Sequence, residues 1–296
     1  MKISILAKEN LQKEVELKED WDNADLIIEY LRLLEVEFVF GVPGGAIEPL
    51  FNALARREKE GGPKIIVARH EAGAAFMAEG YARETGKLGV CCATTGPGST
   101  NLLTGVASAY ADNIAILVIT AQTPLPKFGR NALQDSSCTA VDTVSIFKYC
   151  TRYSTLISHT EQINTKLIAA IMAANRTPNG PVHISIPSDI LRQKPTKGSE
   201  IKVARLVQEF TLTDNNAVDK LTLMLCNSWR VALFLGKGCG PAIDEIMRFS
   251  DLTHAPIVAG PAGKRWVDGY HRRFRGVYGF AGHQSAHDTM EDQGID

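Results

Sequence analysis

The sequence predicts an α/β protein in which an open parallel sheet lies between two layers of helices, followed by a partial second unit of Rossmann-like α/β type. Two observations predict this three-layer fold. Short apolar or β-branched runs alternate with helix-like stretches in the first part of the chain, and the same alternation restarts after a polar segment. The predicted strands of the first unit are 38–42, 64–68, 88–94, 114–120 and 182–186.

A polar segment at 187–213 carries two prolines and a charge-rich middle, which is typical of a linker. We therefore divide the chain into a domain at 20–190, a linker at 191–213 and an incomplete domain at 214–296. The last domain stops before the strands that would close its core, so we expect the chain to be a piece of something longer. Its predicted elements are helices at 215–227 and 241–249 and strands at 230–235 and 255–259.

The charge balance argues against polyanionic partners. In 296 residues, 32 Lys and Arg oppose 33 Asp and Glu, for a net charge of −1, which favours small-molecule chemistry over nucleic acid or an anionic membrane. The first twenty residues resemble neither a signal peptide nor a membrane span, so the expected compartment is cytoplasmic. Six cysteines show no C-x-x-C pair, and we expect them to be reduced and mostly buried.

The turn Gly96-Pro97-Gly98 follows the strand-like LGVCCATT and precedes the helical STNLLTGVASAY. Open α/β sheets bind ligands at the carboxyl ends of their strands, so the position favours a binding site. A tight turn that needs glycine only for its backbone angles explains the motif equally well. A dinucleotide fingerprint would want a third glycine at Asn101, and an acid after the next strand, which Asp112 does not provide.

Glu71 begins a helix whose first turn holds only Ala and Gly, which would let a flat ligand approach closely. Taken alone, this glutamate has the ordinary explanation that it complements the positive helix terminus, and His70 is more often structural than catalytic. The order and spacing of the motifs around Glu71 favour a functional site over this ordinary explanation. In order, they are FGVPGG at 40–45, HEAGAAFMAEGYAR at 70–83, TTGPGSTN at 94–101 and DNIAILVITAQTP at 112–124.

These four motifs resemble the pyrimidine-binding domain of thiamine-diphosphate-dependent enzymes, and among them the large catalytic subunit of acetolactate synthase. The resemblance is strong over 20–190, which implies the thiamine-diphosphate-binding fold. It is fainter over 200–296, where VALFLGKGCG and GVYGFAGHQSAHDT resemble the first part of the family's central domain.

The resemblance implies a role for each matching residue. Glu71 would hydrogen-bond N1′ of the cofactor's aminopyrimidine and relay the proton that activates the cofactor. Gln134 matches a family glutamine near the substrate. The other cofactor-binding positions are Val42, Pro43, Gly44, Pro97 and Asn101.

The implied reaction is decarboxylation of a 2-keto acid such as pyruvate, with transfer of the two-carbon unit to a second keto acid. Val42 stands where acetolactate synthases usually carry tyrosine, and Leu133 and Asp135 replace their Phe and Glu. Another thiamine-diphosphate-dependent 2-keto acid decarboxylase or acetyltransferase therefore remains an alternative. A non-catalytic fragment or interaction subunit is a third.

Two cofactor-binding features of the family are missing from this sequence. TPNGPVHISIP has no arginine where the family's Arg-Pro-Gly-Pro segment supplies a flavin contact, which argues against FAD, although Arg176 lies just upstream. The family holds the diphosphate through magnesium on a third domain that carries a Gly-Asp-Gly motif. No Gly-Asp-Gly occurs in this sequence, so we expect the magnesium ligands on a domain absent from this chain and no metal site within it.

The resemblance also implies partners. In this family the glutamate-bearing domain of one subunit faces the diphosphate domain of another, so we expect a homodimer or higher oligomer with shared sites. Residues 71–110 would lie at that interface, although their Ala and Gly content equally fits tight packing within one chain. A separate chain that carries the diphosphate domain is a further possible partner.

Overall fold

A computed structural model describes residues 17–196 and 214–295, which form two compact units. The first unit alternates helices and strands along most of its length. Its elements are α1 (Asn23–Leu33), β1 (Phe38–Gly41), α2 (Glu48–Glu58), β2 (Lys64–Val67), α3 (Glu71–Thr85), β3 (Gly89–Ala93), α4 (Pro97–Asn101), α5 (Leu103–Ala111), β4 (Ile116–Gln122), α6 (Thr143–Lys148), β5 (Tyr153–Leu156), α7 (Gln162–Asn175), β6 (Val182–Pro187) and α8 (Ser188–Leu191).

The six strands form one parallel sheet in the order β2-β1-β3-β4-β6-β5, which confirms the predicted fold class. Each of the five predicted strands is present, with ends that differ by up to two residues. The sequence analysis missed β5, because this edge strand is only half-buried and its Ser154 and Thr155 interrupt the apolar pattern.

Helices cover both faces of the sheet, and successive side chains along each strand point to opposite faces. Val90, Cys92, Leu117 and Ile119 point into the core shared with α1, α2 and α7. The neighbouring strand residues point into a second core with α3, α5 and Phe147 of α6. Because strand side chains alternate with a period of two, the continuous apolar runs of β3 and β4 are what a strand buried on both faces requires.

Small residues allow α3 and α5 to pack closely within the chain. A Cβ atom on Gly105 would lie 2.6 Å from the Cβ of Ala75, which is closer than real Cβ atoms approach. The contact accounts for part of the Ala and Gly content of 71–110 by packing within one chain. The predicted role of this segment in a subunit interface stays a prediction.

The second unit is a smaller parallel α/β arrangement with strand order β7-β8-β9. Its predicted first helix matches the structure from end to end. The predicted strands are shorter in the structure, and β9 was missed because its FRGV sequence places arginine and glycine inside a strand. The elements are α9 (Asn215–Asn227), β7 (Leu233–Leu235), α10 (Ile243–Thr253), β8 (Ile257–Ala259), β9 (Phe274–Val277) and α11 (Gln284–Met290).

Most of the predicted linker at 191–213 lies outside the described residues, and its first part follows directly on α8. Across the two described stretches of the chain, none of the helices has both the length and the apolar character needed to cross a membrane.

The cysteines differ from the expectation that most are buried. All six are free, but only Cys91 and Cys92 are buried, while Cys138 and Cys226 are exposed. The exposed pair lies in the long connection after β4 and on α9, where no layer covers it. Burial raises the pKa of Cys91 above its ordinary value and that of Cys92 to about 12, so both core thiols are protonated at neutral pH.

His183 lies fully buried in β6 and is held as a neutral ring. The Ser154 hydroxyl donates to the carbonyl of Val144 at 2.7 Å, so it accepts from Nδ1 of His183 at 2.9 Å. Nε2 then accepts from the Thr120 hydroxyl at 2.8 Å, and Phe147 stacks on the ring at a centroid distance of 4.1 Å. Burial lowers the pKa of His183 to about 3.

His183 is expected to make the chain less stable in mild acid. Below its ordinary pKa of 6.5 the unfolded chain binds a proton that the folded chain does not, so stability falls as the pH decreases. Between about pH 7.5 and pH 5 this linkage removes about 2 kcal/mol from the free energy of unfolding. His183→Gln should lower stability at both pH values and flatten that loss, as measured by urea unfolding. An equally steep loss in the variant would contradict the assignment.

Candidate functional site

The candidate site lies where the order of strands reverses in the first sheet. β1 and β3 are neighbours, but the chain leaves β1 toward α2 on one face and leaves β3 toward α5 on the other. The two connections therefore separate at the carboxyl edge and leave a crevice between them. Open α/β sheets bind their ligands in this crevice.

Two loops meet at Thr94 in this crevice. A Cβ on Gly44, in the loop after β1, would lie 2.6 Å from the Cβ of Thr94. A Cβ on Gly98, in the turn after β3, would lie 2.8 Å from the Cγ2 atom of the same threonine. Only glycine lets both backbones come this close. Pro43 and Pro97 are exposed beside them.

Glu71 reaches the same edge from the neighbouring strand. β2 ends at Val67, and α3 begins at Glu71 after His70, whose Nδ1 accepts the backbone N–H of Ala72 at 3.1 Å. His70 therefore caps α3, which agrees with the structural role that the sequence analysis favoured for it. Glu71 is only 9% exposed although it begins a helix, so a surface role that merely complements the helix terminus does not describe it.

Asn101 fixes the orientation of the Glu71 carboxylate. Its Nδ2 donates to Oε2 of Glu71 at 3.0 Å. The other oxygen, Oε1, lies 3.5 Å from the position that a Cβ on Gly98 would take, so it faces the turn. A carboxylate only accepts hydrogen bonds, so Oε1 is placed to receive one from a ligand donor that enters beside Gly98.

Gln134 is brought to the same turn, 38 positions further along the chain than Gly96. Gly96 has φ 63° and ψ −121°, and a Cβ on it would lie 2.7 Å from the Cβ of Gln134. The backbone carbonyl of Gln134 accepts from the Thr95 hydroxyl at 3.0 Å, while its side chain is exposed. Gln134 also has a positive φ, 56°, which an L-residue adopts only when its surroundings impose it.

A hollow of about 340 Å³ lies in the loop after β4, and Asp135, the residue after Gln134, is part of its lining. Asp135 is held by the backbone N–H of Ser137 at 2.9 Å. Although desolvation opposes it, hydrogen bonds from Ser137 and Thr123 lower the pKa of Asp135. The other lining residues are Gly129, Asn131, Ala132, Thr139 and Ala140.

The structure brings Gly44, Glu71, Asn101 and Gln134 together around Thr94 and the Gly96 turn, with Pro43 and Pro97 next to them in the chain. Val42, in the same loop as Gly44, is half-buried and packs against the core that contains α3, and its role at the cofactor stays a prediction. Sequence reasoning missed Thr95, Gln122 and Ser136, which form a buried hydrogen-bonded cluster behind Gln134. A glutamine within the apolar run of β4 was the one available signal.

The residues fit the flat end of a heterocyclic cofactor. A buried carboxylate, a free carboxylate oxygen and a wall of glycine backbone suit a planar ring that carries a hydrogen-bond donor. Within 17–196 and 214–295, no group of three or more His, Cys, Asp or Glu side chains converges to hold a metal ion.

The second unit carries a larger hollow of about 500 Å³. It adjoins the amino ends of β7 and β8, which is the edge opposite to the one where such sheets bind ligands. Its charged lining is internally compensated, since Arg230 pairs with Asp292 at 2.7 Å. The hollow is therefore a weaker candidate than the crevice of the first unit.

Two family models match the chain. Residues 22–145 match the N-terminal TPP binding domain of thiamine pyrophosphate enzymes, and residues 218–294 match the central domain of the same enzymes. The first match contains the loops after β1 and β3 together with Glu71 and Gln134. The second corresponds to the smaller parallel unit.

Several relatives share these domains. The chain is 33% identical over 279 residues to the acetolactate synthase isozyme 2 large subunit of Escherichia coli, covering 92% of the chain and 48% of that protein. It is 32% identical over 278 residues to the acetolactate synthase large subunit of Lactococcus lactis, covering 93% and 47%. The chloroplastic acetolactate synthase of Arabidopsis thaliana is 32% identical over 239 residues, covering 80% and 34%. The chain spans about half the length of its bacterial relatives.

Gly96→Ala is expected to disrupt the crevice, whereas Gly45→Ala is expected to be tolerated. At Gly96 a methyl group meets both an unfavourable backbone conformation and the side chain of Gln134, which costs about 2–4 kcal/mol of unfolding free energy. At Gly45 nothing lies within 4 Å of the added Cβ, and a change within about 0.5 kcal/mol is expected. Urea unfolding measures both. Equal effects would show that the Gly96 turn is not packed as described.

Proposed function

The chain belongs to the thiamine pyrophosphate enzymes, of which it carries the N-terminal and central domains, and we propose that it supplies the pyrimidine half of an acetolactate synthase-like active site. The observation that carries this proposal is the orientation of Glu71. Its carboxylate is buried at the strand-order reversal, is held by Asn101 and has one oxygen directed toward Gly98.

The residues of this chain bind and orient the aminopyrimidine ring. The exposed Pro97 and the backbone of Gly44 border the space that the ring enters, and Asn101 keeps the carboxylate from rotating away. Glu71 Oε1 shares one proton with the ring nitrogen N1′: the protonated acid donates to the N1′ lone pair, and the carboxylate accepts from the protonated N1′–H. When bound, thiamine diphosphate supplies the carbon nucleophile that attacks the keto carbon of a 2-keto acid and accepts the electrons released as carbon dioxide leaves.

The proposed substrates are pyruvate as the donor and a second 2-keto acid as the acceptor. Gln134 has an exposed side chain at the mouth of the crevice, where its amide is available to a keto or carboxylate oxygen. Asp135, the next residue along the chain, lines a separate hollow in the same loop. In this proposal Gln134 orients the substrate, and Glu71 acts only on the cofactor.

A different two-carbon transfer or a simple decarboxylation is the second candidate. Val42, Leu133 and Asp135 depart from the residues that acetolactate synthases carry at these places. Leu133 is 87% exposed, so the structure offers no apolar wall at the position where the family's Phe would stand. A change in the acceptor pocket alters which keto acid reacts, and not the role of Glu71.

The diphosphate end of the cofactor is assigned to another polypeptide region. A diphosphate needs a metal ion or several converging donors to replace its hydration. Among the described residues no group of three or more His, Cys, Asp or Glu side chains converges to hold a metal ion, and in this proposal magnesium and its ligands lie on a further domain of a longer protein or of a partner chain. The site would then be shared between subunits, as expected for a homodimer or larger oligomer, with a non-catalytic interaction subunit as the alternative.

Thiamine diphosphate is expected to bind the chain alone weakly and through Glu71. Contacts to one small ring give about millimolar affinity at best. Backbone NMR shift changes should centre on 41–45, 71 and 94–101. Glu71→Gln should weaken binding about tenfold, because the charge-assisted hydrogen bond between the Glu71 carboxylate and a protonated N1′ is replaced by a weaker neutral one. Glu84→Gln, at the exposed end of the same helix, should not.

Two results of this titration would count against the proposal. Shift changes that avoid the crevice would remove the assignment of the ring to Glu71. Tight magnesium-dependent binding would show that the chain holds the diphosphate itself.

The chain alone is expected to consume no pyruvate, and activity is expected only when a diphosphate domain is supplied. Coexpression with the carboxyl-terminal half of the Escherichia coli relative provides such a domain, and acetolactate is measured colorimetrically after acid treatment. Glu71→Gln in that complex should lower the rate by about 10²–10⁴-fold, the usual contribution of a proton-transfer residue. Measurable turnover by the unaccompanied chain would contradict the proposed division of the site.

A further inference from the structure

Gln122 lies at the end of β4 with its side chain fully buried beneath the loop that carries Gln134. Its Oε1 accepts the backbone N–H of Thr123 at 3.0 Å and that of Ser136 at 3.3 Å. The Ser136 hydroxyl lies 3.0 Å from the same oxygen. One side-chain oxygen of the sheet therefore holds the backbone of the loop two residues after Gln134.

Thr95 connects this cluster to the Gly96 turn. Its hydroxyl lies 2.6 Å from that of Ser136 and 3.0 Å from the carbonyl oxygen of Gln134. The Thr95 hydroxyl has one proton and three acceptors within reach, namely the Gln134 carbonyl, the Ser136 hydroxyl and Oε1 of Gln122 at 3.2 Å. In every arrangement Oε1 of Gln122 accepts two backbone N–H groups, and Thr95 bonds the turn either to the loop or to Gln122 itself.

The amide nitrogen of Gln122, Nε2, gives further evidence about the structural role of this residue. Nε2 is buried and has no hydrogen-bond partner among the described residues. A buried unpaired donor typically costs about 1–3 kcal/mol. The alternative orientation of the amide would set Nε2 against the N–H groups of Thr123 and Ser136, so the orientation is fixed by its acceptor. The contribution of Oε1 must offset the unpaired donor.

We propose that Gln122 is a positioning residue that couples the Gly96 turn to the loop of Gln134. Its effect on the site is indirect, because its hydrogen bonds go to Thr95, Thr123 and Ser136 and not to the predicted site side chains. By holding Ser136 it keeps Gln134 in its positive-φ conformation against Gly96. The consequence for catalysis rests on the proposed function, in which the turn borders the cofactor and Gln134 contacts the substrate.

Amide hydrogen exchange of the whole chain tests the coupling without any ligand. Gln122→Met keeps the length of the side chain but removes the acceptor, and exchange in 128–137 and 94–101 should accelerate at least about tenfold. Gln122→Glu, protonated in mild acid because it is buried, restores an acceptor oxygen and should bring exchange back within about threefold of the parent chain. Thr120→Val, on the same strand as Gln122, is the control, since the Thr120 hydroxyl bonds His183 of β6 and not the loop.

Ser136→Ala provides a second variant that leaves β4 unchanged. It should accelerate exchange in 94–101 as well as in its own loop, because the two are coupled through Thr95. Unchanged exchange in 94–101 for both Gln122→Met and Ser136→Ala would overturn the proposal. So would failure of Gln122→Glu to restore protection, since the role would then be one of packing volume.

The consequence for the site is measured separately, in the complex with a diphosphate domain. Gln122→Met should raise the KM for pyruvate by a larger factor than the dissociation constant of thiamine diphosphate, because the loop of Gln134 loses its hydrogen bonds to Gln122 whereas the Glu71–Asn101 bond is kept. An equal loss of cofactor affinity would contradict a role directed at Gln134. If exchange responds as expected but neither the parent chain nor any variant forms acetolactate, the coupling stands and the proposed function fails.

Discussion

The reversal of strand order between β1 and β3 is the constraint on which the site depends. Two adjacent parallel strands send their chains to opposite faces of the sheet, so no covalent connection fills the space beyond them. The backbones that border this space can approach only where side chains are absent, and Gly44 and Gly98 both contact Thr94 there. The order of the strands therefore creates the crevice, and the lack of side chains at Gly44 and Gly98 determines how closely its bordering backbones approach each other.

The position of Glu71 follows from the same arrangement. β2 pairs with the outer side of β1, so the helix that follows it begins at the edge where the crevice opens. Burial of the carboxylate would be unfavourable without a donor, and Asn101 supplies one from the short helix after the Gly96 turn. The acid and the turn therefore depend on each other, and the cluster of Gln122, Thr95 and Ser136 extends this dependence to the loop of Gln134.

Sequence reasoning recovered the strands whose residues form an apolar or β-branched run, including the exposed edge strand β2, and missed those that lack such a run. β3 and β4 were evident because every residue in them is buried and apolar runs result. β5 and β9 were missed because an edge strand with polar residues, or one with arginine and glycine, lacks both the run and the alternation. Gln122 was passed over for a related reason, since a single polar residue in a strand does not reveal which loop lies above it.

The sequence by itself determined the fold class, the family and the motifs around Glu71, Gly96 and Gln134, because periodicity and local turn chemistry are properties of neighbouring residues. The tertiary structure alone decided which of these motifs share one crevice, that Asn101 orients the carboxylate, and that Gln134 is strained against Gly96. The Glu71–Asn101 and Gly96–Gln134 contacts join residues that are 30 and 38 positions apart in the sequence. Whether such residues meet depends on the order of the strands in the sheet, which no local sequence pattern encodes.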